Sequence, residues 1–131
     1  MPKPNRTSIT SEKAPKAVGP YSQAVRVGDL VFTAGQIGLD PQTMELVEGL
    51  EAQVRQVLQN MSQVLEASGS SLKEVVKTTV FMQDLGEFAQ MNAIYSEFFP
   101  QNYPARSTIQ IAALPRGARV EIECVALVSG D

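Results

Sequence analysis

Apolar residues recur at spacings of three and four through the middle of the chain, at Leu50, Val54, Val57, Leu58, Met61, Val64 and Leu65. That spacing puts them on one stripe of an α-helix, and Gly69 just beyond supplies a C-terminal cap. A second, shorter stripe runs through Phe88, Met91, Ile94 or Tyr95, and Phe98. Asp84, with Glu87 three positions on, reads as a capping box at its start, and Pro100 closes it. Between the helices, VVKTTVFM at 75–82 is rich in β-branched residues and predicts a buried strand. Upstream, 24–27 and 30–34 are short β-type runs joined by Gly28-Asp29, a two-residue hairpin turn. Residues 7–10 predict one more short strand. Pro15, Gly19 and Pro20 make 14–22 an ordered loop, and 35–48 is loop-like around Asp40-Pro41. Residues 1–6, polar and proline-rich, predict a frayed end. The last two strands are expected at 107–112 and 119–128, separated by Leu-Pro-Arg-Gly-Ala. Local reading alone would join them as a hairpin.

The predicted order is β-β-β-α-β-α-β-β. Two helices with one apolar stripe each suit one face of a sheet, giving an α+β layer. The last strand nevertheless carries apolar residues on both faces: Val120, Ile122 and Cys124 on one, Val125 and Leu127 on the other. A sheet face that is apolar but has no helix to cover it predicts burial by another chain, hence a homo-oligomer.

Composition narrows the chemistry more than the fold. At 131 residues the chain is expected to form one domain, 1–131, with a sizeable core. The net charge of −3, without a basic block, makes nucleic acid an improbable partner. A single cysteine, Cys124, forbids an internal disulfide and suits a reducing compartment. No apolar run is long enough to span a bilayer and the N-terminus lacks a secretory pattern. A cytoplasmic location is expected, with a mitochondrial or nuclear pool left open. The absence of histidine removes Ser-His-Asp triads, histidine bases and histidine metal ligands. Gly-rich phosphate loops are missing too. The remaining chemistry must rest on carboxylates, Arg, Lys, Tyr, hydroxyls, backbone groups and water.

The segment at 103–123, YPARSTIQIAALPRGARVEIE, concentrates those groups. Arg106 follows a stiff Tyr-Pro-Ala approach, and its planar guanidinium can grip a carboxylate with two parallel N–H bonds. A surface ion pair is the plainer reading. Glu121 shares a strand face with Glu123, which alone suggests a solvated surface. Val125 and Leu127 continue that face, however, so Glu121 can be partly buried and able to act on water. Tyr21, in the rigid Gly-Pro-Tyr-Ser-Gln turn, is a ligand contact or a loop anchor. Asn92, inside the second helix, suits a hydrogen-bond anchor or a substrate contact. Cys124 reads as an inert core residue.

Five segments in order then carry a resemblance: APKAVGPYSQA at 14–24, TAGQI at 33–37, VVKTTVF at 75–81, FPQNYPARS at 99–107, and AALPRGARVEIE at 112–123. Together they make the chain similar to the Rid family of reactive-imine deaminases, of the RidA type. The resemblance implies a mixed sheet with two helices on one face, similar to a Bacillus-type chorismate mutase. It also implies a barrel-centred trimer with sites between subunits. In that fold the 114–118 link is a crossover, not a hairpin turn. The implied activity is hydrolysis of reactive 2-imino acids or their enamine tautomers to 2-keto acids and ammonia. Such activity protects pyridoxal-phosphate enzymes from the intermediates. By the same resemblance Arg106 binds the substrate carboxylate, Glu121 handles water, Tyr21 closes the pocket and Gly35 offers backbone to the ligand. Thr108, which stands where many relatives carry cysteine, and Asn92 are further candidate substrate-binding residues. No metal or organic cofactor is implied. Two other readings stay open: an RNA-acting translation inhibitor, and a non-catalytic trimer that binds small carboxylates.

Overall fold

The computed structural model describes residues 5–129. Its final strand, β6 (Val120–Leu127), alternates between fully buried and more open positions along its length. Period-two alternation of this kind defines two faces. Val120, Ile122, Cys124 and Ala126 point into the core, while Glu121, Glu123, Val125 and Leu127 point away from it. The other elements are β1 (Arg6–Ile9), β2 (Ala24–Val27), β3 (Leu30–Thr33), α1 (Leu50–Ala67), β4 (Val75–Met82), α2 (Phe88–Phe98) and β5 (Ala105–Gln110). The observed order of elements is therefore the one expected.

The six strands form one mixed sheet in the order β1-β2-β3-β6-β4-β5. β4 and β5 are parallel, because α2 carries the chain back between them, and every other pair is antiparallel. β6 does not fold back on β5. It inserts between β3 and β4, so the local hairpin expectation is wrong and 114–118 is a crossover. A buried glutamine on α1 fixes that crossover. Gln53 accepts a hydrogen bond from the Arg119 amide at 2.8 Å through Oε1 and donates to the Val47 carbonyl at 3.0 Å.

Both helices lie on the inward face of the sheet. The α1 stripe Val54, Val57, Leu58, Met61, Val64 and Leu65 is fully buried and joins Met91, Ile94 and Tyr95 of α2 in one core with the inward strand residues. Gly69 takes φ +80° after the last turn, and two bonds close a Schellman motif: Ser70 N–H to Leu65 and Gly69 N–H to Glu66. The capping box expected before α2 is not formed. Asp84 accepts from the Gly86 amide at 2.7 Å and starts a short 3₁₀ turn, Leu85–Glu87. The Glu87 carboxylate turns instead to the Arg119 guanidinium, with Nε at 3.1 Å. A charge-assisted bond to arginine outweighs a return to the Asp84 backbone.

The first four positions of the expected frayed end lie outside the described residues, and Arg6 opens β1 rather than fraying. β5 begins two residues earlier than expected, because its parallel ladder with β4 takes up Ala105 directly after Pro104. Arg106 therefore sits inside a strand, opposite Thr78. The outward face of the sheet has no helix over it, and Phe32, Ile109 and Leu127 stand exposed there. Among the described residues no helix is long and apolar enough to cross a membrane.

Candidate functional site

Glu121 and Arg106 lie on opposite faces of the sheet. Glu121 pairs in register with Phe81 on the outward face, while Arg106 pairs with buried Thr78 on the helix face. Within one chain the candidate residues other than Thr108 thus fall into two separate clefts.

The first cleft, of about 460 Å³, has a lining that includes Tyr21, Gly35 and Glu121. β3 ends at Thr33, and the chain continues alongside β6 through an isolated bridge, Gln36 to Ile122, with N–H···O distances of 2.9 and 3.1 Å. This route presses Gly35 against the Glu121 side chain. A Cβ at position 35 would stand 2.5 Å from the Glu121 Oε2 and 2.7 Å from its Cδ. A side chain here would push the Glu121 carboxylate aside, so glycine permits the close approach. Burial pushes the Glu121 carboxyl above the usual range, and the neighbouring Glu123 charge adds to the rise. A carboxylate so placed is a better base toward water than a solvated one. Gly35→Ala is expected to displace the carboxylate and lower turnover by about 10²-fold with little change in the unfolding midpoint, checked by steady-state kinetics and thermal melting.

Tyr21 reaches this cleft from the 14–22 loop. The loop is tied by a residue that local patterning did not single out, the buried Gln23. Its Nε2 donates to the carbonyls of Pro15 at 2.8 Å and Ser11 at 3.1 Å, and its Oε1 accepts from the Ser11 amide at 2.5 Å. Gln23→Leu leaves those backbone groups unpaired. It is expected to cost about 1–3 kcal/mol in urea unfolding and to loosen the Tyr21 loop to proteolysis. Lys16 and Arg116 also line the cleft and give it positive charge. Arg116 sits at φ +59° in the crossover and donates to the Met44 carbonyl at 2.8 Å.

The second cleft, of about 410 Å³, has a lining that includes Asn92, Tyr95, Tyr103 and Arg106. Arg106 Nη1 donates to Asn92 Oδ1 at 2.8 Å, and its Cζ lies 4.8 Å from the Tyr95 ring centre. Tyr95 OH shares a 2.7 Å hydrogen bond with Thr78 Oγ1, and burial raises its pKa above the usual phenol value. Asn92 therefore holds the arginine as well as lining its cleft. Thr108, on the same strand face as Arg106, lines neither cleft. A larger groove of about 650 Å³ beside Arg26 contains none of the candidate residues, and its arginine turns to the Ser68 carbonyl at the end of α1. Cys124 is the core residue expected, with burial pushing its thiol up to about 12.

A family model described as Endoribonuclease L-PSP matches residues 11–128. The chain belongs to this family. Within it, the human 2-iminobutanoate/2-iminopropanoate deaminase is 47% identical over 123 residues, which is 93% of this chain and 90% of that protein. RidA from an Antarctic Psychrobacter has a solved structure that matches with a TM-score of 0.91 at 48% identity, covering 93% of this chain and 99% of that one. The structure of E. coli TdcF with bound serine matches with a TM-score of 0.90 at 41% identity, covering 94% and 99%. The Rid resemblance carried by the five segments is thus borne out. In this L-PSP chain, Gln23, Gln53 and Tyr95 escaped functional notice in the sequence because a buried glutamine or a helical tyrosine has no local signature. The one signal was polarity inside otherwise apolar surroundings.

Proposed function

We propose that the protein hydrolyses reactive 2-imino acids, and the enamines in equilibrium with them, to 2-keto acids and ammonia. The observation that carries this reading is the half-buried Glu121 carboxylate packed against Gly35 in a cleft, in a chain 47% identical to a 2-iminobutanoate/2-iminopropanoate deaminase. The protonated imine is already electrophilic, so modest assistance suffices. Glu121 takes a proton from water as the oxygen bonds to the imine carbon. Glu121 returns that proton to the nitrogen of the resulting carbinolamine. The C–N bond breaks with its electron pair leaving on nitrogen as the hydroxyl oxygen forms the carbonyl, and the hydroxyl proton passes to the departing ammonia, giving the 2-keto acid and ammonium. Arg106 holds the substrate carboxylate through the N–H groups that Asn92 does not engage. Tyr21 closes the pocket, Gly35 offers its backbone to the ligand, and Thr108 flanks the clamp in place of the cysteine of many relatives.

The two clefts face different sides of the sheet, so the complete site requires a second copy of the chain. A chorismate-mutase-like trimer satisfies this and also covers Phe32, Ile109 and Leu127. A threonine dehydratase supplies the unstable imine in a coupled assay. Faster loss of imine with this chain present than without it supports the reading, and an unchanged rate of loss rejects it.

The family description favours a second reading, cleavage of RNA. Glu121 and Glu123 on the outward face would repel a phosphate backbone. RNA cleavage that follows the pure protein and disappears in Glu121→Gln would support it. The serine seen in TdcF supports small-carboxylate binding, and turnover separates an enzyme from a binding trimer.

A further inference from the structure

We infer that Phe88 and Tyr95 are positioning residues that brace the Arg106 guanidinium with their ring faces, leaving its Nε/Nη2 edge for a carboxylate. The inference rests on the reading of Arg106 as the carboxylate clamp. Three residues of α2 spaced by four and three, Phe88, Asn92 and Tyr95, share one helix face and all meet this one side chain. The guanidinium carbon lies 5.4 Å from the Phe88 ring centre and 4.8 Å from that of Tyr95. Both distances are within cation–π range. Asn92 engages Nη1 at 2.8 Å. Nε and Nη2 form the other edge of the fork, the pair of donors that matches a carboxylate.

Phe88 is not a core residue. It remains 38% exposed on the first turn of α2, so core packing does not explain a phenyl ring there. Tyr95 is buried, and its hydroxyl is tied to Thr78 by 2.7 Å, which fixes the plane of the ring beneath the arginine. Bracing of this kind reduces the rotamer freedom that an arginine loses when it binds. It acts on the non-reacting end of the substrate. A change there should therefore appear in KM and not in kcat.

The test uses the full chain with Phe88→Leu, Phe88→Tyr, Phe88→Trp, Tyr95→Phe and Arg106→Ala. Steady-state imine hydrolysis, 2-oxobutanoate binding and thermal melting are measured for each. Phe88→Leu is expected to raise KM and weaken 2-oxobutanoate by about three- to fivefold at constant kcat and melting temperature. Phe88→Tyr and Phe88→Trp restore both values, because they return a ring face. Tyr95→Phe keeps KM within about twofold while lowering the melting temperature, because it keeps the ring and strands Thr78. The inference is overturned if Phe88→Leu leaves KM and 2-oxobutanoate affinity unchanged, or if aromatic replacements behave like leucine. If Arg106→Ala abolishes binding while Phe88→Leu is silent, the bracing alone fails. If Arg106→Ala itself binds and turns over normally, the clamp reading fails and the bracing with it.

Discussion

Arg106→Ala is expected to lower imine hydrolysis by at least about 10²-fold while the chain stays folded, because it removes the proposed two-point hold on the substrate carboxylate. The fold tolerates the loss. Arg106 is on an edge strand and only partly buried, and among the described residues its one side-chain hydrogen bond is to Asn92, which lies beside an open cleft. The same variant tests how the site is assembled. Arg106 and Glu121 cannot meet within one chain, since the sheet lies between them. Arg106→Ala and Glu121→Gln are each expected to be inactive alone. In the proposed trimer, mixed assemblies made by co-expression of the two are expected to regain about one quarter of wild-type activity, since half of the arginines and half of the glutamates are intact and each site draws one of each. Mixtures that stay inactive would mean that both residues of a site come from the same chain.

Glu121→Gln is expected to lower kcat by about 10²–10⁴-fold with a smaller change in KM, because it removes the base and keeps the shape. The pH profile gives an independent check. Burial first and Glu123 second hold the Glu121 carboxyl above its ordinary range. The basic form is therefore lost at a higher pH than for a solvated glutamate as the solution is acidified. The acid limb of kcat/KM should lie correspondingly high, and Glu123→Gln should move it to lower pH by removing the like charge. The linkage to stability runs in the same sense. A carboxyl whose folded pKa is raised favours the fold when protonated, and that contribution is lost as pH rises through the folded pKa. Glu121→Gln should thus raise the melting temperature at neutral pH, with the gain shrinking in acid. A catalytic group that costs stability is the expected trade at an active site.

Much of this arrangement was legible before any coordinates. The α1 stripe, the Schellman glycine at position 69, the β-branched run of β4 and the two-faced alternation of β6 are local patterns, and each was realised. The errors share one cause. The capping box before α2 failed because Arg119, 32 residues away, takes the Glu87 carboxylate. β5 starts early because its partner strand extends the ladder, and the hairpin that local reading alone suggests gives way to the crossover the family resemblance implies, because β6 pairs with β3 and β4. In every case a long-range partner outbid a local one. The site divided in the same manner. Arg106 and Glu121 could be nominated by residue type and motif, but Gln23, Gln53 and the rings around Arg106 could not, since their roles exist only through neighbours distant in sequence.

The sequence by itself determined the elements and the chemistry available: two amphipathic helices, six short strands, and, with no histidine, chemistry limited to carboxylates, Arg, Lys, Tyr, hydroxyls, backbone groups and water. Side-chain periodicity and residue type are carried by the chain itself, so they can be read along it. Only the tertiary structure decided that β6 enters the middle of the sheet, that Gly35 abuts Glu121, and that Arg106 faces the helices while Glu121 faces away. Those outcomes depend on which strand pairs with which, and in what register. A one-residue shift in register would send each side chain to the opposite face.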